Sequence, residues 1–145
     1  MRTKEFLGRL DHKRIVEAIA SAEAKTSGEI RVYLQRGEVK LDALTIAEKK
    51  FFELGMHKTA ERNAILILVA PRAQKFAVVG DEGVHKKCGP AFWQHLVEAM
   101  RAHFKREEFT DALVEAIESA GRLLAEHFPR LTSDRNELSN EVIEE

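Results

Sequence analysis

Seven apolar residues occupy consecutive positions in the middle of the chain: Ala64-Ile65-Leu66-Ile67-Leu68-Val69-Ala70. Successive side chains of a strand point to opposite faces of the sheet, so a strand exposed on one face alternates apolar with polar residues. An unbroken apolar run of this length is typical of a strand buried on both faces. The stretch therefore predicts a central strand with helices packed on each side of its sheet.

The segment before this stretch predicts a second strand and a crossover helix. Residues 29–36 alternate, with Ile30, Val32 and Leu34 pointing to one face and polar residues mostly to the other. A helix follows over 42–54, because Asp42 is a good N-cap and apolar residues recur at helical spacing. A strand, a helix and a strand in this order form a right-handed crossover between parallel strands.

The segment after the central strand predicts a reversal of the chain. Residues 71–74 are short and polar and predict a turn. Residues 75–80 then predict a third strand, antiparallel to the central one. The sheet is therefore expected to be small and mixed.

Three further helices complete the predicted fold. The first covers residues 11–25, the third starts at Gly89-Pro90 and reaches Phe104, and the last runs from Thr110 to Phe128. The prediction is an α/β fold: a three-layer α/β/α sandwich with helices on both faces of the sheet. We expect one domain over residues 1–129 and an acidic, polar C-terminal tail over 130–145.

Composition excludes several classes of function. The 145 residues include 23 basic and 24 acidic side chains, so the basic excess typical of nucleic-acid binders is missing. Cys88 is the sole cysteine, which rules out an internal disulfide. Neither a signal peptide nor an apolar run long enough to span a membrane is recognisable. We expect a cytoplasmic protein.

The predicted strand directions bring three polar loops to one edge of the sheet. These are the loop entering the first strand, the loop entering the central strand and the loop leaving the third. Their side chains make two candidate sets: Glu29, Asp81 and Glu82 as ligands of calcium or magnesium, and Thr26, Ser27, Arg62 and Asn63 as ligand-binding residues, with Glu61 beside them. Grouped oxygen donors suit hard cations. The same residue types are also common in turns, where their side chains bond only to the neighbouring backbone. A binding site and a simple set of turns therefore both remain possible interpretations.

Other candidate sites are weaker. The histidines fit no zinc-binding pattern, and neither a nucleophile elbow nor a phosphate-binding loop occurs. Cys88 precedes a predicted helix, where a thiol can have a lowered pKa. An inert buried cysteine is the commoner situation.

Several segments, in order, resemble the TPM domain family over residues 12–129. The resemblance rests on Glu23-x-x-Thr26-Ser27-Gly28-Glu29, Phe51-Phe52-x-Leu54-Gly55-Met56, Arg62 to Ala70, Phe76 to Gly83, Phe92-Trp93 and Phe104 through Ala116. It implies an α/β/α sandwich. It also implies an acid phosphatase activity, described for plant thylakoid-lumen members, and calcium binding, described for some members.

The sequence departs from this family at two places. Many members have Asp-Asn-Gly before the central strand, where this chain has Arg62-Asn63-Ala64. His85 lies near the position of a glutamate expected after the third strand. Many bacterial members are exported or tethered to a membrane, whereas this sequence shows neither signal.

These observations lead to three hypotheses. The first is a non-enzymatic binding or accessory module with a protein partner. It is favoured because no complete set of catalytic residues is recognisable and because Arg62 occupies the position of the aspartate in Asp-Asn-Gly. The alternative is a weak calcium- or magnesium-dependent phosphatase acting on phosphate monoesters, with Asp81 and Glu82 on the cation and Arg62 on the phosphate. The third hypothesis is a homo-oligomer that forms through the exposed edge of the third strand.

Overall fold

The computed structural model describes residues 3–36, 40–130 and 142–144. Its sheet is built from β1 (Glu29–Leu34), β2 (Ala64–Ala70), β3 (Lys75–Gly80) and β4 (Ile143–Glu144). The spatial order is β3-β2-β1-β4; β1 runs parallel to β2 and β4, and β3 runs antiparallel to β2. The predicted mixed sheet is confirmed, and so are the directions of its first three strands.

The helices are α1 (Thr3–Gly8), α2 (His12–Glu23), α3 (Ala43–Glu53), α4 (Glu82–Lys87), α5 (Pro90–Lys105) and α6 (Phe109–His127), with a 3₁₀ turn at Met56–Lys58. Two of them begin at predicted caps. The Asp11 carboxylate accepts a hydrogen bond from the Arg14 backbone N–H at 3.2 Å. Asp42 does the same for Thr45 at 3.0 Å. Each carboxylate satisfies an amide that lacks an intrahelical partner.

Helices cover both faces of the sheet. All seven residues of β2 are buried, as its apolar run predicts. One face belongs to a core built with α1, α2, α4, α5 and α6, and its strand residues are Ile30, Val32, Leu34, Ile65, Ile67 and Val69. The other face is covered by α3 and the 3₁₀ turn, and its strand residues are Tyr33, Ala64, Leu66, Leu68 and Ala77. The three-layer sandwich is confirmed, with unequal helical layers.

Two short helices were missed by the sequence interpretation. In α1, the Phe6 ring packs against the rings of Phe104 and Phe109, with centroids 6.4 and 4.8 Å away. In α4, the helix begins where a simple turn was predicted, and the side chain of Asp81 accepts a hydrogen bond from the Glu82 N–H at 2.8 Å. Six residues complete fewer than two helical turns, so neither segment displays a usable periodicity.

The two edges of the sheet concern the predicted self-association through the third strand and the predicted C-terminal tail. β3 lies at an edge of the sheet, which is the condition on which the self-association hypothesis depends, and self-association itself stays a prediction. At the opposite edge, Ile143 of the predicted tail pairs with Tyr33 of β1. Residues 131–141 and 145 of that tail lie outside the described residues. None of the described helices has both the length and the apolar character needed to cross a membrane.

Candidate functional site

Three polar loops meet at the edge formed by the amino ends of β1 and β2 and the carboxyl end of β3. The Ser27 hydroxyl donates a hydrogen bond to the Glu61 carboxylate at 3.0 Å. The Asn63 side-chain amide donates to the Ser27 oxygen at 3.1 Å. We call this surface, made by residues 27, 61–63, 81 and 82, the polar rim. The predicted strand directions place its segments together.

An ion pair between Arg62 and Asp81 dominates the polar rim. The Arg62 Nε and Nη2 atoms donate to the two carboxylate oxygens of Asp81 at 2.7 and 2.8 Å. Asp81 is 5% exposed and Arg62 has 38% of its side chain exposed. The Glu82 carboxylate lies 3.6 Å from the same guanidinium. This fork-to-fork geometry fixes both partners more firmly than a single contact would.

Backbone hydrogen bonds hold the same segments together. The Gly83 N–H donates to the Arg62 carbonyl oxygen, and the Asp81 N–H to that of Ala64, each at 2.9 Å. Arg62 adopts a left-handed backbone conformation, with φ of 53°. That conformation costs free energy for a residue with a β-carbon, so the surrounding contacts must maintain it. The loop before β2 and the start of α4 therefore form one rigid unit.

Thr26 lies beneath the rim. Its side chain is buried, and its hydroxyl donates toward the carbonyl oxygens of Leu124, at 3.1 Å, and Phe128. The same oxygen accepts a hydrogen bond from the Gly28 N–H at 3.0 Å. Thr26 thus ties the entry of β1 to the end of α6. It offers no exposed group to a ligand, although it was predicted to bind one.

Glu29, predicted as a metal ligand, is also buried and not exposed at the polar rim. It is 2% exposed, and its carboxyl group is hydrogen-bonded to that of Glu23, which is 5% exposed. The Glu23 Oε2 atom accepts a hydrogen bond from the Ile30 N–H at 2.8 Å. Burial, opposed by the hydrogen bond from Ile30 and reinforced by the adjacent Glu29, raises the pKa of Glu23 from 4.5 to about 9. Glu23 therefore carries a proton at neutral pH.

This carboxyl pair was not singled out from the sequence. A signal for it existed, because Glu23 follows Ile15 and Ile19 at intervals of four residues on the buried row of α2. A charged residue on an otherwise apolar row is buried only with a partner or with a shifted pKa. The partner itself could not be inferred from α2 alone.

Comparison with known proteins places this fold in a family. The model of the TPM domain matches residues 2–123. The chain belongs to the TPM domain family. The resemblance noted from the sequence is thereby confirmed.

Two solved structures are similar to this TPM domain in fold. The NMR structure of the BA42 protein from the psychrophilic bacterium Bizionia argentinensis is 37% identical, with a TM-score of 0.85 and 92% of each chain covered. The N-terminal domain of the cg2496 protein from Corynebacterium glutamicum is 17% identical, with a TM-score of 0.63, and shares the fold over 81% of this chain and 75% of that chain. Comparison with curated proteins found no match.

The donor groups of this TPM domain do not fit the predicted calcium or magnesium ion. Both oxygens of Asp81 are bonded to Arg62, and Glu29 is paired with Glu23. The described residues include no group of three or more His, Cys, Asp or Glu side chains suitably placed to hold a metal ion. A guanidinium at the centre of the rim also repels a cation.

A hollow of about 280 Å³ adjoins the rim of the TPM domain. Its lining includes three basic residues, Arg62, Lys86 and Lys87, and two acidic ones, Glu61 and Glu82. Lys87 is partly engaged, because its ammonium lies 5.0 Å from the centre of the Phe128 ring. The hollow offers mixed charge to a small polar ligand.

Cys88, the thiol considered from the sequence, is buried. Burial raises the pKa of the Cys88 thiol, and the nearby Glu126 carboxylate adds to the increase. A thiol with a raised pKa is a poor nucleophile at neutral pH. This residue therefore contributes to packing.

Proposed function

We propose that this TPM domain is a non-enzymatic binding or accessory module. The observation that carries the proposal is the bidentate pairing of Asp81 with Arg62 at 2.7 and 2.8 Å. A general base needs a free carboxylate within reach of the proton it removes, and a cation needs unshared oxygens. Asp81 offers neither, since both oxygens face the guanidinium.

The rigidity of the rim supports a binding role. Hydrogen bonds between Ser27, Glu61 and Asn63 and the backbone bond from Gly83 to Arg62 hold the loops in one arrangement. Loops that a rigid scaffold positions are the usual location of binding residues. A preformed polar surface loses little conformational entropy when a partner docks on it.

A phosphatase acting on phosphate monoesters is the second candidate. The hollow that contains Arg62, Lys86 and Lys87 favours it, because planar and point cations both bind phosphate oxygens. The donor groups present do not fit a metal ion, so this candidate would depend on the cationic side chains alone.

Hydrolysis of p-nitrophenyl phosphate separates the two candidates. Purified protein would be assayed with and without millimolar calcium or magnesium, beside the Lys86→Ala/Lys87→Ala double variant, which removes two of the cationic side chains that line the hollow. We expect the two proteins to hydrolyse the ester at equal background rates. Turnover that is clearly faster in the wild type than in the double variant would overturn the binding-module proposal.

Replacing Arg62 by aspartate is expected to create a response to calcium that the wild type lacks. The Arg62→Asp variant would place a third carboxylate beside Asp81 and Glu82, and we expect it to be destabilised by about 2–3 kcal/mol without calcium, through repulsion and the lost ion pair. Millimolar calcium should then raise its melting temperature, since an ion that binds only the folded state stabilises it.

The Arg62→Gln variant is the matched control, because it loses the ion pair without adding a carboxylate. It should be destabilised but insensitive to calcium. A wild-type melting temperature that rises with calcium as much as that of Arg62→Asp would show that Arg62 does not block the cation.

A further inference from the structure

We propose that the groove between α5 and α6 binds a basic amphipathic helix of a partner protein. This surface lies in the helical layer opposite α3 and shares no residue with the polar rim. The inference goes beyond the function proposed for the rim and does not depend on it.

The groove has an apolar floor and the size of a binding site. Its volume is about 740 Å³, and apolar side chains of both helices line it: Phe92, Leu96, Ala99 and Leu123. Ala99 and Ser119 are small residues on the facing helices, and the Arg122 Nη2 atom donates a hydrogen bond to the Ser119 hydroxyl at 3.2 Å from the edge of the groove. A depression of this volume with an apolar lining is typical of ligand and peptide sites.

The spacing of the lining residues suits a helical occupant. On α6, the lining runs from Glu115 through Ser119 and Arg122 to Glu126, which are separated by four, three and four residues. These intervals keep the side chains on one face of the helix. At a rise of about 1.5 Å per residue they span roughly 16 Å, or three turns. A helix of about three turns could lay its apolar stripe between the ridges of α5 and α6.

The charges around the groove select a basic partner. The lining includes the carboxylates of Glu98, Glu115 and Glu126 against two basic side chains, Arg122 and His95. The Glu115 carboxylate is bonded to His103. Glu98 and Glu126 form no ion pair with any other residue in the described part of the chain. Lysine or arginine residues flanking an apolar stripe would complement them, whereas an anionic membrane surface would be repelled.

Titration with a defined peptide tests this inference. The probe is a fluorescein-labelled 14-residue amphipathic helix of leucine and lysine, followed by fluorescence anisotropy beside a leucine–glutamate peptide of the same pattern. We expect the lysine peptide to bind and the glutamate peptide not to bind. Amide chemical-shift changes should map to residues 92–99 and 115–126.

Variants distinguish the groove from general charge attraction. Glu98→Gln/Glu126→Gln should weaken binding roughly five- to ten-fold, because two carboxylates lose their cationic partners. The matched control, Glu48→Gln/Glu118→Gln, removes two exposed carboxylates that do not line the groove and should change the affinity less than two-fold. Ser119→Leu should abolish binding by filling the floor, while an unchanged melting transition reports that the fold is intact.

Several results would overturn the proposal. Equal weakening by the two double variants would mean attraction to net charge, and shift changes elsewhere would place the peptide on another surface. Binding to vesicles with anionic lipid in preference to the peptide would mean a membrane surface. Concentration-dependent assembly abolished by Ser119→Leu would mean that a second copy occupies the groove.

Discussion

Replacing Glu23 by glutamine is expected to make the protein more stable at pH 8 to 9 and to leave its stability almost unchanged at pH 4 to 5. Burial and the adjacent Glu29 raise the pKa of Glu23 from 4.5 to about 9. Glutamine is neutral at every pH, and its side-chain oxygen can still accept the hydrogen bond from the Ile30 N–H. The substitution therefore removes an ionisation without removing the contact.

The direction of the effect follows from proton linkage. Between pH 4.5 and about 9 the folded protein retains a proton on Glu23 that the unfolded chain releases. Stability then falls as the pH rises through this window, by at most about 1.4 kcal/mol per pH unit for one proton. We expect Glu23→Gln to be more stable than the wild type by about 2 kcal/mol or more at pH 8 to 9, roughly 5–10 °C in melting temperature.

Thermal melts of both proteins from pH 4 to pH 9 would measure this difference. The pKa of His103 is raised by its bonds to Glu108 and Glu115, so this residue also loses stabilisation as the pH rises, but the contribution is common to both proteins and cancels. Glu118→Gln, on the exposed side of α6, is the control and should give a nearly constant difference. A constant difference for Glu23→Gln as well would mean that Glu23 titrates normally in the folded state.

Replacing Gly83 by alanine is expected to destabilise the protein although the residue lies in a helix. A β-carbon at this position would lie 2.4 Å from the Glu61 carbonyl oxygen and 2.6 Å from that of Arg62. These atoms belong to the backbone and cannot rotate away, so α4 must separate from the loop before β2. The expected loss is about 2–4 kcal/mol, which exceeds the roughly 1 kcal/mol that alanine gains over glycine in a helix.

Denaturant unfolding of Gly83→Ala and Gly8→Ala would test this expectation. Gly8 ends α1, and a β-carbon there meets no atom within 4 Å, so Gly8→Ala should be neutral or slightly stabilising. The movement of α4 should also loosen the pairing of Asp81 with Arg62. A Gly83→Ala protein as stable as the wild type would contradict the close contact that makes the rim rigid.

Most of the fold could be predicted because its signals are local. The apolar run of β2, the alternation in β1 and the caps Asp11 and Asp42 each lie within a few residues of the structure they determine. The short helices α1 and α4 escaped because six residues give too weak a pattern. The pairing of Ile143 with β1 escaped because a two-residue strand has no alternation to recognise.

For the candidate site, the sequence could predict which residues lie near one another but not which of them form bonds. Strand direction brought Ser27, Arg62, Asn63 and Asp81 to one edge, and the structure shows them there. Strand direction alone could not separate these residues from Glu29, which also lies at the start of β1 but whose side chain pairs with the buried Glu23. Its role as a metal ligand stays a prediction that the observed pairing does not favour.

By itself, the sequence determined the directions of β1, β2 and β3, the burial of β2 and therefore the edge at which the polar loops gather, because each follows from local patterns that are set by backbone geometry. Only the tertiary structure decided which polar groups pair there: Arg62 with Asp81, Glu23 with Glu29, and Ser27 with Glu61. The physical reason is that hydrogen bonds require separations near 3 Å, and packing between segments distant in the chain sets those separations. The same packing of α5 on α6 opens the acidic groove, which neither helix contains alone.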